Sequence, residues 1–351
     1  MKKIVSIILI CTLMLVMFSS CGSKKEVLRV FNWGDFIADG VLDEFEDLYN
    51  CKIIYEVYDS NETMMTKVES GGNYDIVFPS DYAVAMMADK DLLMEIDFSK
   101  ISNYKDVDPS YYLDEPYNQY CVPYMWGTLG ILYNKEMVTE PVDSWGIIFD
   151  DASMQKYHNQ IYMLKGMRDS MGTALMYLGY SMNTSNPEEI RQAKELLLKQ
   201  KAHVQGYMTD DVKDKMLGEE GAMALVFSGE GMKAVDDSEG MLGYSIPKEG
   251  TNLAIDNVAI LKSAQNPELA HKFIDFLCST DIAMRGAEET GYSSPMISVR
   301  ELLDDEIKNS ARYPSQDILD KSEIFFSLSE ETNAMWNDAW IEIRGTVVDD
   351  E

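Results

Sequence analysis

The first hundred residues alternate between short apolar runs and helical patterns. Three strands are predicted, over 27–32, 52–58 and 74–78. Apolar residues recur at helical spacing over 40–49, and a second helix is predicted from Ser60 or Asn61 to about Ser70, where Gly71-Gly72 ends it. Strands and helices in this order predict a parallel sheet in an α/β fold.

Two later helices have strong start signals. Asn186 and Asn266 are each followed by Pro and then Glu, which places Asn at the cap, Pro at the first helical position and acid in the first turn. The helices are predicted to end near Ala202 and Cys278. A chain of 351 residues exceeds one typical core and suggests two lobes. Extended segments at 130–133 and 251–260 are predicted to cross between them.

Residues 1–21 have the pattern of a bacterial export signal. Lys2 and Lys3 precede an apolar run over 4–18, which is short for a membrane-spanning helix. Small residues directly before Cys21 resemble a lipobox, so we expect Cys21 to be acylated and to anchor the mature protein to the membrane. The alternative is an ordinary secretory peptide, with Cys21 as a bystander. Both interpretations place the protein outside the cytoplasm.

The chain is strongly acidic, with 60 Asp and Glu against 30 Lys and Arg, a net charge of −30. Nucleic acid is therefore not expected as a partner, because binding phosphate requires a basic face. The charge favours capture of cations, or it only supplies solubility. Cys51, Cys121 and Cys278 have no CxxC spacing and imply neither a disulfide framework nor a metal cluster.

Signatures of catalysis are thin. None of the 3 histidines has a recognisable nucleophile beside it, and no GxSxG, HExxH, P-loop or GxGxxG motif occurs. Paired carboxylates carry little information in so acidic a chain. We therefore expect no catalytic residue, no metal and no cofactor.

A binding site is predicted instead, beginning at Trp33-Gly34-Asp35-Phe36, where the first strand ends. Ligands bind at the carboxyl ends of parallel strands, and an aromatic ring beside a carboxylate suits an organic cation. Asp256 lies among apolar residues, and a buried carboxylate needs a cation or hydrogen-bond donors. The other candidate segments are 74–82, 167–170, 227–230 and 291–295.

Each segment also has a plain structural interpretation. Trp33 could pack in the core, Asp169 could cap a helix or pair with Arg168, and Glu230 could cap the helix that follows it.

Taken together, these segments resemble one family across nearly the whole mature chain, the bacterial extracytoplasmic polyamine-binding proteins that feed ABC importers. The segments similar to the family's motifs, in order and spacing, are 31–35, 58–63, 74–82, 123–131, 168–180, 247–250 and 291–295. The resemblance implies the type II periplasmic-binding-protein fold, with the ligand in a cleft between two lobes. Lobe 1 would comprise 26–130 plus 253–298, and lobe 2 would comprise 131–252 plus 299–347.

The resemblance also assigns roles to single residues. Trp33, Phe227 and Tyr292 would pack on the polyamine methylenes, with Phe36 at a further aromatic position. Ser80 and Tyr82 would face a terminal amine, and Asp169 and Asp256 would pair with ammonium groups. Asp35 and Glu230 match acidic positions of the putrescine-type members. Expected partners are putrescine or spermidine and the permease and ATPase subunits of an importer, with the protein as a monomer.

Three positions depart from the family pattern: Gly166 and Phe325 replace polar residues, and Ala254 replaces an aromatic one. Some amine partners and one aromatic wall are therefore missing, which favours the shorter diamine. The alternatives are the same fold with another cationic amine or a different small solute, and an extracellular enzyme on the same scaffold.

Overall fold

The first three strands pair in parallel, which confirms the predicted β-α-β-α-β unit. In the computed structural model, which describes residues 25–208 and 211–346, β1 lies between β2 and β3. The strands are β1 Val27–Trp33, β2 Lys52–Tyr58, β3 Ile76–Val77, β4 Cys121–Asn134, β5 Ile161–Leu164, β6 Val204–Met208, β7 Met223–Phe227, β8 Leu242–Ser245 and β9 Leu253–Ile260. The expected signal segment and Cys21 lie outside the described residues, so both stay predictions.

Helices alternate with these strands. In chain order they are α1 Val41–Tyr49, α2 Asn61–Glu69, α3 Asp81–Asp89, α4 Gly146–Phe149, α5 Asp151–Lys156, α6 Met167–Tyr177, α7 Pro187–Lys201, α8 Val212–Leu217, α9 Ser228–Asp237, α10 Pro267–Leu277, α11 Thr280–Thr290, α12 Ile297–Leu302, α13 Asp305–Lys308, α14 Gln316–Leu319 and α15 Glu330–Gly345. Short 3₁₀ turns fill much of 98–120. Within the described ranges, no helix is both long and apolar enough to cross a membrane.

Strand β4 joins two sheets. Its first part, Cys121 to Thr128, pairs antiparallel with β9, which also pairs with β3. Its second part, from Leu129 onward, pairs with β7 on one side and β8 on the other. The order across the described strands is β2-β1-β3-β9-β4-β7-β5-β6, with β8 beside β4. The predicted lobe boundaries within this architecture stay a prediction.

Each sheet is covered on both faces by apolar side chains. Val30 and Phe31 are neighbours on β1 but belong to different clusters, because successive strand side chains point to opposite faces. Leu225 and Val226 divide in the same way on β7. Cys51, Cys121 and Cys278 are free and buried.

The predicted helix starts are confirmed with one change of partner. The Ser60 and Asn186 side chains accept the amides of Thr63 and Glu188, as cap residues do. Asn266 precedes α10, but its side chain donates to the Val27 carbonyl at 2.7 Å. The buried carboxylate of Asp75 instead accepts the amides of Gln265 and Asn266, the two residues just before the helix.

Asp75 ties β1 to the start of α10. It is fully buried, and its Oδ2 accepts the Arg29 amide at 2.8 Å. Its Oδ1 accepts the Gln265 amide at 2.6 Å and the Asn266 amide at 3.0 Å. Three backbone donors from two distant parts of the chain therefore depend on one carboxylate.

We expect Asp75→Ala to lower the free energy of unfolding by about 3 kcal/mol, because it removes a buried carboxylate that accepts three partly buried N–H groups. A fall in melting temperature of about 5 °C or more should follow for a chain of this size. The matched control is Asp47→Ala, which changes an exposed residue of α1. Equal melting temperatures for the two variants would contradict this account of Asp75.

Candidate functional site

Asp256 on β9 and Ser80 before α3 meet in an antiparallel bridge. The Ser80 hydroxyl donates to Asp256 Oδ1 at 2.7 Å. Asn61 holds Ser80 from the other side: its Nδ2 donates to Ser80 Oγ at 3.0 Å, and its Oδ1 accepts the Ser80 amide at 3.2 Å. Ser80 and Asp256, which the resemblance assigned to separate amine contacts, are thus held side by side by hydrogen bonds.

The same Asn61 amide reaches Tyr82. Asn61 Nδ2 donates to Tyr82 Oη at 3.1 Å, and the Tyr82 hydroxyl donates to Glu62 at 3.2 Å. The Tyr82 ring packs against apolar clusters of both sheets. The sequence reasoning did not select Asn61, although the signal was present, since the residue lies within the motif at 58–63.

Burial raises the pKa of two predicted carboxyls to about 6. For Asp256, burial is opposed by the hydrogen bond from Ser80. For Asp169, burial is opposed by the charge of Arg168 and reinforced by that of Glu62. Both carboxylates are therefore poorly solvated, and each would gain from a cation placed beside it.

Asp169 is the third residue of α6, and its position depends on Gly166. A Cβ atom at residue 166 would overlap Asp169 Oδ2, so the carboxylate occupies the space that a side chain there would need. Glycine at position 166 thus lacks the polar side chain that the family has there, and it leaves space for the Asp169 carboxylate. Arg168 does not hold Asp169 by hydrogen bonding: its guanidinium donates to the Phe326 carbonyl and to Asn183.

Carboxylates attached to both sheets act on Tyr292. Its pKa is raised well above 10, first by burial and then by the charges of Glu230, Asp256, Tyr244 and Asp169. The three carboxylates therefore lie within electrostatic reach of one phenol. They come from β9, α6 and α9, which are far apart along the chain.

The Tyr292 ring is fixed by close packing. Gly291 ends α11 with φ +76°, a conformation that suits glycine, and Tyr292 follows directly. The ring lies 5.3 Å from the buried ring of Phe36, edge to face. A Cβ atom on Gly229 would overlap the other side of the ring. Phe36 therefore packs against the Tyr292 ring and helps to fix its position.

Trp33 and Phe227 are half-buried aromatic residues on opposite sheets. The Trp33 indole donates to the Phe78 carbonyl at 2.9 Å, and its ring lies 4.7 Å from that of Tyr58. Phe227 ends β7 and pairs with Leu129 on β4, just where β4 changes partners. Both are partly packing residues, as the plain interpretation anticipated.

Asp35, unlike Asp169 and Asp256, is not a buried carboxylate. It is exposed, and its backbone is left-handed with φ 49°. It lines an open pocket of about 380 Å³, which is formed by residues 34–40 with Leu42, Asp43, Tyr55 and Val57. Burial raises the pKa of Tyr55 to about 12, and the Asp35 charge adds to this. Membership of Asp35 in the site stays a prediction.

Two charged groups were missed by the sequence reasoning. Asp81 is buried between Ser80 and Tyr82, and burial raises its pKa to about 8. The Arg168 guanidinium lies over the rings of Phe325 and Trp336, at 4.5 and 5.1 Å. Phe325 therefore serves as a platform for Arg168. The sequence signal for this contact was Phe325 itself, which replaces a polar residue of the family pattern.

The donor chemistry of the site is that of a cation receptor. Carboxylates, hydroxyls and aromatic faces surround Tyr292 and Asp256. Among the residues that the structure describes, no group of three or more His, Cys, Asp or Glu side chains is placed to hold a metal ion. Organic cations fit this mixture of charge and apolar surface.

We expect Gly229→Ala to destabilise the protein through Tyr292. Alanine normally improves a helix by up to about 1 kcal/mol, but the added methyl must displace the ring, and overpacking costs about 1–3 kcal/mol. The melting temperature should therefore fall. Gly206→Ala is the control, because its Cβ would lie 4.0 Å from the nearest atom. In a double-mutant cycle with Tyr292→Ala, additive effects would refute the proposed contact.

Comparison with known proteins gives consistent matches over almost the whole chain. Residues 40–315 match the bacterial extracellular solute-binding protein family. The putrescine-binding periplasmic protein SpuD of Pseudomonas aeruginosa is 31% identical over 341 residues, 92% of this chain and 93% of that protein. A spermidine/putrescine-binding periplasmic protein of Salmonella typhimurium is 33% identical over 318 residues, 89% and 90% of the two chains.

A solved structure is similar as well. The spermidine/putrescine ABC transporter substrate-binding protein PotD of Streptococcus pneumoniae is 33% identical and superposes with a TM-score of 0.81, covering 92% of this chain and 99% of that one. The likeness therefore extends to the arrangement of both sheets.

Proposed function

We propose that this chain, which belongs to the bacterial extracellular solute-binding protein family, captures a polyamine outside the cytoplasm and delivers it to an ABC importer. The family and the two-lobed α/β fold agree with the sequence prediction. The observation that carries the ligand class is the convergence of Asp169, Glu230 and Asp256 on Tyr292. The named relatives bind putrescine or spermidine.

A polyamine suits this site because it alternates point charges with apolar methylene stems. Carboxylates at Asp169 and Asp256 would each pair with an ammonium group, which is costly to desolvate without a partner. Ser80 and Tyr82 would orient a terminal amine by hydrogen bonding. The aromatic walls that would contact the stem are Trp33, Phe227 and Tyr292.

The buried carboxylates argue against a neutral or anionic ligand. Burial already disfavours their charged forms, so a ligand without positive charge would leave that cost unrelieved. Glu230 adds a third negative group near Tyr292. We place Asp35 and Phe36 in the site by family likeness, with Phe36 acting through the Tyr292 ring.

The length of the ligand is expected to be that of a diamine. Gly166 carries no side chain to meet another amine, and the Phe325 ring is covered by Arg168. Ala254 supplies a methyl group where an aromatic wall is expected. A different cationic amine is the second candidate, because Ala254 leaves that wall open.

The proposed delivery of the ligand to an importer relies on a site made of residues from both halves of the protein. Ser80, Asp256 and Tyr292 belong to the half around the first sheet, whereas Asp169 and Phe227 belong to the half around the second. A ligand that contacts both halves would favour their closed arrangement, which a permease and its ATPase could recognise. We propose a binding role without catalysis, for a monomer anchored through Cys21.

Titration with putrescine and spermidine tests this function. Each is expected to raise the melting temperature, since a ligand at 100 times its Kd stabilises by about 2.7 kcal/mol. The neutral diol 1,4-butanediol is the matched control for length. If neither amine shifts the transition at millimolar concentration, the polyamine assignment is wrong, and mass spectrometry of copurified ligand would identify another amine.

Asp256→Asn should weaken polyamine binding by well over tenfold, because a desolvated charge pair is lost. The empty variant should melt no lower than the unchanged protein at pH 7.5, since a carboxyl whose pKa is raised to about 6 is destabilising when ionised. Calorimetry and thermal melting separate the two effects. An unchanged Kd would exclude Asp256 from the site.

A further inference from the structure

Asp81 is a buried carboxyl at the centre of the candidate site that the proposed function does not use. It is the first residue of α3, between Ser80 and Tyr82, and only 4% of it is exposed. Its Oδ1 accepts the Tyr82 amide at 2.6 Å, and the Ile255 amide also favours the carboxylate form, whereas the buried Oδ2 makes no hydrogen bond within 3.5 Å among the described residues. A buried carboxyl with so few donors is costly when charged, which favours a proton or a neighbouring cation.

Asp256 is the negatively charged group that opposes ionisation of Asp81. The residue before Asp81 forms a bridge with Asp256 and hydrogen-bonds to its carboxylate. Charge on Asp256 therefore opposes charge on Asp81. Two carboxyls that share a buried site do not readily ionise together unless a cation is present.

The other groups facing Asp81 are Arg168 from α6 and Tyr82 from its own helix. The Arg168 charge and the amides of Tyr82 and Ile255 favour ionisation of Asp81, but burial outweighs them and raises its pKa to about 8. The two terminal nitrogens of Arg168 donate to the Phe326 carbonyl at 3.1 Å and to Asn183 at 2.7 Å, whereas its buried Nε has no hydrogen-bond partner among the described residues. Tyr82 is held by Asn61 and Glu62.

We propose that Asp81 couples cation binding to proton release. The empty protein holds a proton on the Asp81 carboxyl. When an ammonium group settles beside Asp256, the O–H bond of Asp81 breaks, the proton passes to solvent, and the new carboxylate is balanced by the bound cation. Asp81 is thus a positioning residue that makes affinity rise with pH. The coupling rests on the proposed function, because it requires a cationic ligand.

Calorimetric titration with putrescine at pH 7.5, in phosphate and in Tris, measures the linked proton. Both amines of putrescine are charged at this pH, so a released proton comes from the protein. The unchanged protein is expected to release a measurable fraction of a proton and to bind more tightly at pH 8 than at pH 6. Heats that do not depend on the buffer would overturn the proposal without any variant.

Asp81→Asn keeps the shape and the acceptor for the Tyr82 amide but cannot ionise. It should release less than half as much proton as the unchanged protein and should show a flatter pH profile of affinity. Asp47→Asn, an exposed change on α1, should leave both unaltered. Equal proton release by Asp81→Asn and the unchanged protein would also overturn the proposal.

A test without ligand separates this inference from the polyamine assignment. An unfolded Asp loses its proton near pH 4, whereas folded Asp81 keeps its proton up to about pH 8. The stability contributed by this proton is therefore lost as pH rises across that window. The difference in melting temperature between Asp81→Asn and the unchanged protein should be smallest at pH 4 and should grow towards pH 8, with the variant increasingly favoured.

A difference that does not vary with pH would refute the proton on Asp81. If the melting difference varies as expected but putrescine does not bind, the polyamine assignment fails while the buried proton stands. If putrescine binds without proton release, the coupling fails while the assignment stands.

Discussion

The site depends on a single constraint, which is that β4 belongs to both sheets. Residues up to Thr128 pair with β9, and from Leu129 the same strand pairs with β7 and β8. Glycines allow the two halves to close around it: a Cβ on Gly127 would meet Ser228 and Tyr292, and one on Gly130 would overlap Tyr244. Strand β4 sets the pairing register of both sheets. A shift of β4 where it changes partners would therefore move Asp256 relative to Phe227 and α9.

This shared strand explains how negative charges from distant parts of the chain meet. Asp256 enters from β9, Asp169 from the start of α6, and Glu230 from the start of α9, and all three act on Tyr292. Arg168 offsets part of the cost at Asp169 but also donates to Asn183 and stacks on Phe325. The folded protein thus holds poorly solvated carboxyls, and apolar burial elsewhere in the core offsets their cost. A cationic ligand would remove that cost.

Local signals were sufficient for much of the fold. The β-α-β-α-β unit and the starts of α2, α7 and α10 follow from periodicity and caps, and the apolar neighbours of Asp256 indicated a buried carboxylate. That Ser80 lies against Asp256 was not predicted. Asn266 shows the limit, because its side chain turns to Val27, and Asp75 accepts the amides of the two residues before α10. No local pattern reveals that contact, since Asp75 lies 190 residues before Gln265 along the chain.

The sequence by itself determined the α/β class, the acidic character and the residue types of the site, because propensity and hydrophobic period act over a few residues. Only the tertiary structure decided which of these groups are buried together. In the sequence Asp81 is one of 60 acidic residues and Asn61 a candidate helix start. The folded chain buries Asp81 near Asp256 and gives Asn61 both Ser80 and Tyr82 as partners. Burial and charge pairing depend on sheet order, which contacts between distant residues create.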